Sequence, residues 1–197
     1  GSTRMGKIVS EKVGARLGKT LLELGGNNAI IVTPDADLKM TMMGTVFGAV
    51  GTCGQRCTST RRLIVNDKIY NKVKESLIKA YKQIKIGDPL DSNNHVGPLI
   101  DKEAVESYKN AISQVNDQGG SWLVEGEVLI GDKYISGCYV KPAIAEVNHS
   151  LKIVHQETFA PILYLIKYSG DIQNAIEIQN EVDPGLSSAI MTNSLKE

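Results

Sequence analysis

Two cysteines stand four positions apart in Gly51-Thr52-Cys53-Gly54-Gln55-Arg56-Cys57-Thr58-Ser59-Thr60, among small and polar residues that favour a loop. Cys57 directly follows Arg56. A thiol is a nucleophile only as its thiolate, and a neighbouring guanidinium, exposed backbone N–H groups and an accessible loop all favour that form. The plainer reading of Cys57 is a buried structural thiol, since free cysteine is among the most buried residue types. The second group with chemistry to offer is Glu23, a lone carboxylate in Leu21-Leu22-Glu23-Leu24 just ahead of Gly25-Gly26. Burial in that apolar run would raise its proton affinity, so that it could take a proton from water near neutral pH. Its plainer reading is a strand-end carboxylate facing solvent.

Periodicity sets these groups among regular elements. Residues 4–17 carry Met5, Ile8, Val9, Val13 and Leu17 at helical spacing, and Gly18 should end that helix. Residues 20–24 and 29–32 read as strands, and Pro34-Asp35 turns into a helix over 36–50 whose methionines, Met40, Met42 and Met43, are expected in the core. Residues 62–65 read as a strand, so Cys57 lies between two regular elements. Asp67 is expected to cap a helix to about 84, its lysines forming a solvated face. Asp101 caps another helix ending near Gly119-Gly120. Short strands are expected at 122–124, 128–130, 135–140 and 144–147, the second-last of them carrying a core Cys138. A strongly apolar strand at 162–168, a helix at 171–180 and a strand at 187–192 complete the order. Helices alternating with buried strands predict an α/β fold with a mostly parallel sheet flanked by helices.

Length and composition bound the function. A chain of 197 residues with 42% hydrophobic residues can bury a core of its own. Lys and Arg total 22 and Asp and Glu total 22, which gives no net charge to draw nucleic acid or an acidic membrane, so the expected partner is a small molecule. Three irregularly spaced cysteines fit a reducing compartment better than a disulfide framework, and the expected location is cytoplasmic, with an organelle matrix left open. No run reaches the roughly 20 apolar residues that span a bilayer, and no leader pattern opens the chain. Cys53 and Cys57 share zinc-ligand spacing, but His95, His149 and His155 do not complete a set, and no metal is expected. A Cys-His hydrolase built on His149 or His155, and a non-catalytic binding module, stand as other readings of the same residues.

Glu23-Leu24-Gly25-Gly26, followed 34 residues later by the cysteine of Gly54-Gln55-Arg56-Cys57, resembles the aldehyde dehydrogenase superfamily. Glu157-Thr158-Phe159-Ala160-Pro161 is similar to that family's Glu-x-Phe-Gly-Pro element, with Ala160 in place of the usual glycine. Gly1-Ser2-Thr3-Arg4-Met5-Gly6 is similar to its Gly-Ser-Thr-x-x-Gly segment, which opens a helix beneath the cofactor pyrophosphate. Within the superfamily, Asn27-Asn28, Cys57-Thr58-Ser59-Thr60-Arg61-Arg62 and Glu157-Thr158-Phe159-Ala160-Pro161 look most like the antiquitin branch. Succinylglutamic semialdehyde dehydrogenases share the double asparagine.

The resemblance implies oxidation of an aldehyde, an acidic semialdehyde in this branch, through a thiohemiacetal and a thioester on Cys57, with Glu23 activating the hydrolytic water. It implies NAD as cofactor, NADP not excluded, with Glu157 and Phe159 at the nicotinamide ribose and Gly1, Ser2 and Gly6 at the pyrophosphate. It implies Arg56 as the ligand of a substrate carboxylate. It also implies that residues 1–17 end a dinucleotide-binding domain, that residues 18–197 belong to a truncated catalytic domain, that the complete protein is a homo-oligomer, and that this fragment is inactive alone.

Overall fold

In a computed structural model covering residues 1–197, six strands form one sheet in the order β3-β4-β5-β2-β1-β6. The strands are β1 (Asn28–Val32), β2 (Thr60–Asn66), β3 (Ser121–Val124), β4 (Ala143–Glu146), β5 (Ile162–Tyr168) and β6 (Ser188–Met191). The helices are α1 (Thr3–Gly14), α2 (Leu38–Val50), α3 (Tyr70–Tyr81), α4 (Lys102–Asp117) and α5 (Ile172–Asn180). From β4 through β6 every pairing is parallel, and only the edge strand β3 runs antiparallel, against β4. The expected mostly parallel α/β sheet is therefore present. The central strands β1, β2 and β5 are buried along nearly their whole length because helices cover both faces of a parallel sheet, and β2 carries buried polar residues, Thr60, Arg61, Arg62 and Asn66, at its two ends.

Several local expectations differ from the structure. Residues 20–24 form no strand; the chain from 18 to 27 is irregular, Leu21 is 88% exposed and Glu23 is exposed with it. The segment pairs with no strand, so its leucines have no layer to enter. Met40 and Met43 are exposed at 64% and 67%, because α2 buries Thr41, Thr45, Ala49 and Val50 instead. Asp67 caps nothing: α3 starts at Tyr70 with no side-chain cap, and Asp37, Asp101 and Asp171 cap α2, α4 and α5. Residues 128–130 and 135–140 meet only in an isolated bridge, Val128 to Val140, so Cys138 is buried but lies outside any strand. No helix is long and apolar enough to cross a membrane.

Candidate active site

The end of α2 delivers the chain into a tight reversal. Thr52, Cys53 and Gly54 take φ of 55°, 54° and 67°, three successive left-handed residues. For Thr and Cys this conformation is strained, and such strain persists only where surrounding contacts hold it. One contact is the backbone of Ala160 and Pro161, which lies so near Gly54 that a Cβ there would sit 2.6 Å from the Ala160 carbonyl carbon and oxygen. Another is Gln55, whose Oε1 accepts from the Ile100 N–H at 2.8 Å and whose Nε2 donates to the Pro98 carbonyl at 3.3 Å. The reversal separates the two cysteines. Cys53 is buried, and desolvation pushes its thiol up to about 12; Cys57 is exposed.

Cys57 is held by its carbonyl and open at its amide. Asn28 Nδ2 donates to the Cys57 carbonyl at 2.8 Å and to the Ser59 carbonyl at 2.9 Å, while its Oδ1 accepts from the Ser187 N–H at 2.9 Å. The Cys57 N–H donates to no protein group. The cation expected beside the thiol is turned elsewhere: the Arg56 guanidinium stacks on Phe47, 4.6 Å from the ring centroid, and its Nε donates to Thr52 Oγ1 at 2.9 Å. An aromatic face and a hydroxyl at the end of α2 capture it, and Arg56 does not line the cleft onto which Cys57 opens.

That cleft, about 830 Å³, brings Cys57 together with Glu23, Glu157, Phe159, Gly1 and Ser2. Glu157 Oε1 accepts from the Gly26 N–H at 3.1 Å and from Arg61 Nη2 at 3.5 Å. The Gly25-Gly26 break is what admits this carboxylate, since a Cβ on Gly25 would overlap it. Phe159 is 44% exposed at the cleft and lies beneath the Arg61 guanidinium. Ala160 has no positive φ, so the departure from glycine there carries no backbone strain. Ser2 caps α1, its Oγ accepting from the Met5 N–H at 3.3 Å, and the amino group of Gly1 donates to the Glu23 carbonyl at 2.8 Å. Gly6 stands one layer back, where a Cβ would meet Leu24 Cδ1 at 2.7 Å. Glu23 does reach the cleft, but at an exposed position, so the burial expected of it is absent. The start of α1, the Glu157 carboxylate and the exposed Phe159 ring therefore lie along one cleft with Cys57.

The histidines are engaged away from the thiol. His149 Nδ1 pairs with Glu181 Oε2 at 2.7 Å, His155 Nε2 meets the His149 carbonyl at 2.8 Å, and neither lines the cleft with Cys57. No three His, Cys, Asp or Glu side chains gather as a metal-binding group. Sequence reasoning passed over Asn28, Gln55 and Arg61 as parts of the site. The doubled Asn27-Asn28 and Arg61-Arg62, buried polar pairs at the edges of apolar strands, were the available signal.

The aldehyde dehydrogenase family profile matches residues 1–197. A putative aldehyde dehydrogenase family 7 member A1 homolog from Caenorhabditis elegans is 52% identical, over 100% of this chain and 36% of the relative. The alpha-aminoadipic semialdehyde dehydrogenase of Mus musculus is 47% identical, over 99% of this chain and 35% of the relative. Among solved structures, betaine aldehyde dehydrogenase from Staphylococcus aureus in complex with NAD+ superposes with a TM-score of 0.95 at 25% identity, over 99% of this chain and 39% of that one. A 3,6-anhydro-L-galactose dehydrogenase in complex with NADP gives 0.95 at 29% identity, over 99% and 41%. The chain thus spans little more than a third of the length of its curated relatives, yet it is matched along its whole extent, and it belongs to the aldehyde dehydrogenase family.

Proposed function

We propose that this chain carries the nucleophile, the base and part of the cofactor cleft of an NAD(P)-dependent dehydrogenase that oxidises an acidic semialdehyde to a carboxylate. The observation that carries the proposal is that Cys57, the one exposed cysteine, opens onto the same cleft as Glu23 and Glu157 while its own N–H is left unpaired. In this reading the Cys57 thiolate adds to the aldehyde carbonyl, and the Cys57 N–H donates to the oxyanion that forms. A bound nicotinamide dinucleotide supplies the hydride acceptor that leaves a thioester on Cys57. Glu23, at the cleft rim, takes a proton from the water that attacks this thioester, and the thiolate departs.

Ser2 and the first turn of α1 would face the pyrophosphate, with Gly1 beside them and Gly6 allowing α1 to approach Leu24. Glu157 would accept from the ribose hydroxyls, and Phe159 would pack against the nicotinamide. Similarity to alpha-aminoadipic semialdehyde dehydrogenase supports the acidic substrate class. The place of Arg56 at the substrate's distal carboxylate rests on the family resemblance, since the guanidinium is stacked on Phe47 and does not line the cleft. On this reading residues 1–17 end the dinucleotide-binding domain and residues 18–197 belong to the catalytic one. The 197-residue piece alone would bind NAD weakly and turn over negligibly, because hydride transfer needs the nicotinamide held at near-attack distance. Free cysteines suit a reducing compartment, the cytosol or an organelle matrix.

The test is transient kinetics on the protein at the full length of its relatives. Cys57→Ser should abolish NADH formation, and Glu23→Gln should leave a rapid first turnover followed by a stalled steady state. Equal loss of burst and steady state in Glu23→Gln would remove Glu23 from the hydrolytic step, and turnover in Cys57→Ser would sink the proposal.

A further inference from the structure

Two arginines open β2, both 1% exposed, and they do different things. Arg62 faces structure alone: its Nε and Nη2 donate to the Asn27 carbonyl at 3.0 and 2.8 Å, and its Nη1 and Nη2 reach the Ile178 and Gln179 carbonyls at 3.2 Å each. It ties the end of α5 to the chain entering β1. Arg61 points into the space behind the cleft. Its Nη1 donates to the Gly54 carbonyl at 3.1 Å and to the Thr158 carbonyl at 2.7 Å. Its Nη2 donates to the Arg56 carbonyl at 3.2 Å and reaches Glu157 Oε1 at 3.5 Å, and its Cζ lies 5.3 Å from the Phe159 ring centroid.

One guanidinium therefore joins two segments about a hundred residues apart in sequence: the reversal that ends at Cys57, and the Glu157-Thr158-Phe159 wall. A buried charge is costly, and where stability alone is wanted an apolar residue of similar volume often does as well. Here the charge has one counter-ion, Glu157, and its Nε has no partner at all. The group is committed through its two terminal nitrogens, and the planar fork matches acceptors on both sides of it. Lysine, a point charge on a flexible stem, cannot hold four such acceptors in one plane.

We propose that Arg61 is a positioning residue for the cofactor end of the reaction: it sets the Glu157 carboxylate and the Phe159 ring in register with Cys57. The inference rests on the assignment of Glu157 to the nicotinamide ribose. It makes Arg61, rather than Arg56 next to the thiol, the cation that organises the nucleophile's surroundings. Arg62, equally buried and equally bonded, is the internal control.

The experiment compares Arg61→Lys, Arg62→Lys, Glu157→Gln and the double variant Arg61→Lys/Glu157→Gln in the protein at the full length of its relatives. NADH affinity is read by fluorescence titration, KM for NAD and for the aldehyde by steady-state kinetics, and folding by circular dichroism. Arg61→Lys should weaken NADH binding and raise the KM for NAD about tenfold while the KM for aldehyde stays within about twofold. Arg62→Lys should lower the melting temperature and leave NADH affinity within about twofold. The double variant should be no worse than Glu157→Gln by more than about twofold, because both changes remove one coupled arrangement. If Glu157→Gln weakens NADH binding and Arg61→Lys does not, if the two effects add in full, or if Arg62→Lys weakens binding equally, the positioning role is overturned and the reading of Glu157 stands. If Glu157→Gln leaves NADH binding unchanged, that reading falls and the inference with it. An Arg61→Lys protein that no longer folds would also overturn it, by making Arg61 a strut of the fold.

Discussion

At the scale of single residues, the two cysteines four positions apart have opposite fates. Cys53 enters the core, where desolvation pushes its thiol up to about 12, and Cys57 stands in solvent at the cleft. Cys138 is buried as well. Brief alkylation with substoichiometric iodoacetamide at neutral pH should therefore modify Cys57 at least about tenfold faster than either of the others, since reaction requires both access and thiolate. Peptide mass mapping reads the order directly, and prior labelling of Cys53 or Cys138 would remove the physical basis for Cys57 as nucleophile. Adjacency in sequence was a poor guide to the local cation. Arg56 is next to Cys57 in the chain but is held by Phe47 and Thr52, whereas Arg61 reaches the turn and the cleft wall together.

At the scale of elements, the turn between α2 and β2 is where backbone strain concentrates. Gly54 combines a φ of 67° with an approach to the Ala160 carbonyl that leaves no room for a Cβ. Gly119 has a φ of 84° with nothing within 4 Å of where a Cβ would be. Substituting alanine at each separates conformational strain from collision. Gly119→Ala should cost about 1 kcal/mol, and Gly54→Ala about 2 kcal/mol or more, because the obstructing atoms are backbone and cannot rotate away. Urea unfolding of both variants checks this, and equal losses would mean that the Gly54 turn can shift away from Ala160. The helix before that turn, α2, reads poorly from sequence. Its methionines resemble a core stripe, but the helix packs through Thr41, Thr45, Ala49 and Val50 and leaves Met40, Met43 and Phe47 outside.

For the molecule as a whole, the core holds Cys53 and several tyrosines in their neutral forms, and this sets an alkaline limit. Cys53 is raised from 9.0 to about 12 and Tyr164 from 10.0 to about 12, both by burial, and burial raises Tyr81 and Tyr108 further still. Above pH 9 the unfolded chain gives up protons that the folded chain retains, so the unfolded state binds fewer protons and stability falls as pH rises. The contribution is complete below pH 9, begins to be lost there through Cys53, and is lost faster above pH 10 once the tyrosines join. Each group adds a slope of up to about 1.4 kcal/mol per pH unit. Urea midpoints at about pH 8, 9.5 and 10.5 should fall progressively, and Cys53→Ala should flatten the first interval. A midpoint independent of pH over this range would show that the buried groups titrate as they do in the unfolded chain.

The alternation of elements and the burial of β1, β2 and β5 were legible in the chain because each is a local pattern of residue types, while the pairing of Glu23-Leu24-Gly25-Gly26 with Gly54-Gln55-Arg56-Cys57 came from the family resemblance. The same resemblance pointed to Glu157, Phe159, Gly1 and Ser2, and the fold gathers all four with Cys57 and Glu23 on one cleft. The remaining features depend on partners distant in the chain. The irregular 18–27 segment left Glu23 exposed where an apolar run implied burial, since leucine neighbours desolvate a carboxylate only when some layer covers them. Gly6 went beneath Leu24 and Arg56 onto Phe47, so neither lines the cleft. Asn28 holds the Cys57 carbonyl from 29 residues away, and Arg61 meets Glu157 across 96. No periodicity records such contacts, because hydrogen bonds and ion pairs depend on position in space, and parallel strands adjacent in the sheet are separated in the chain by entire helices.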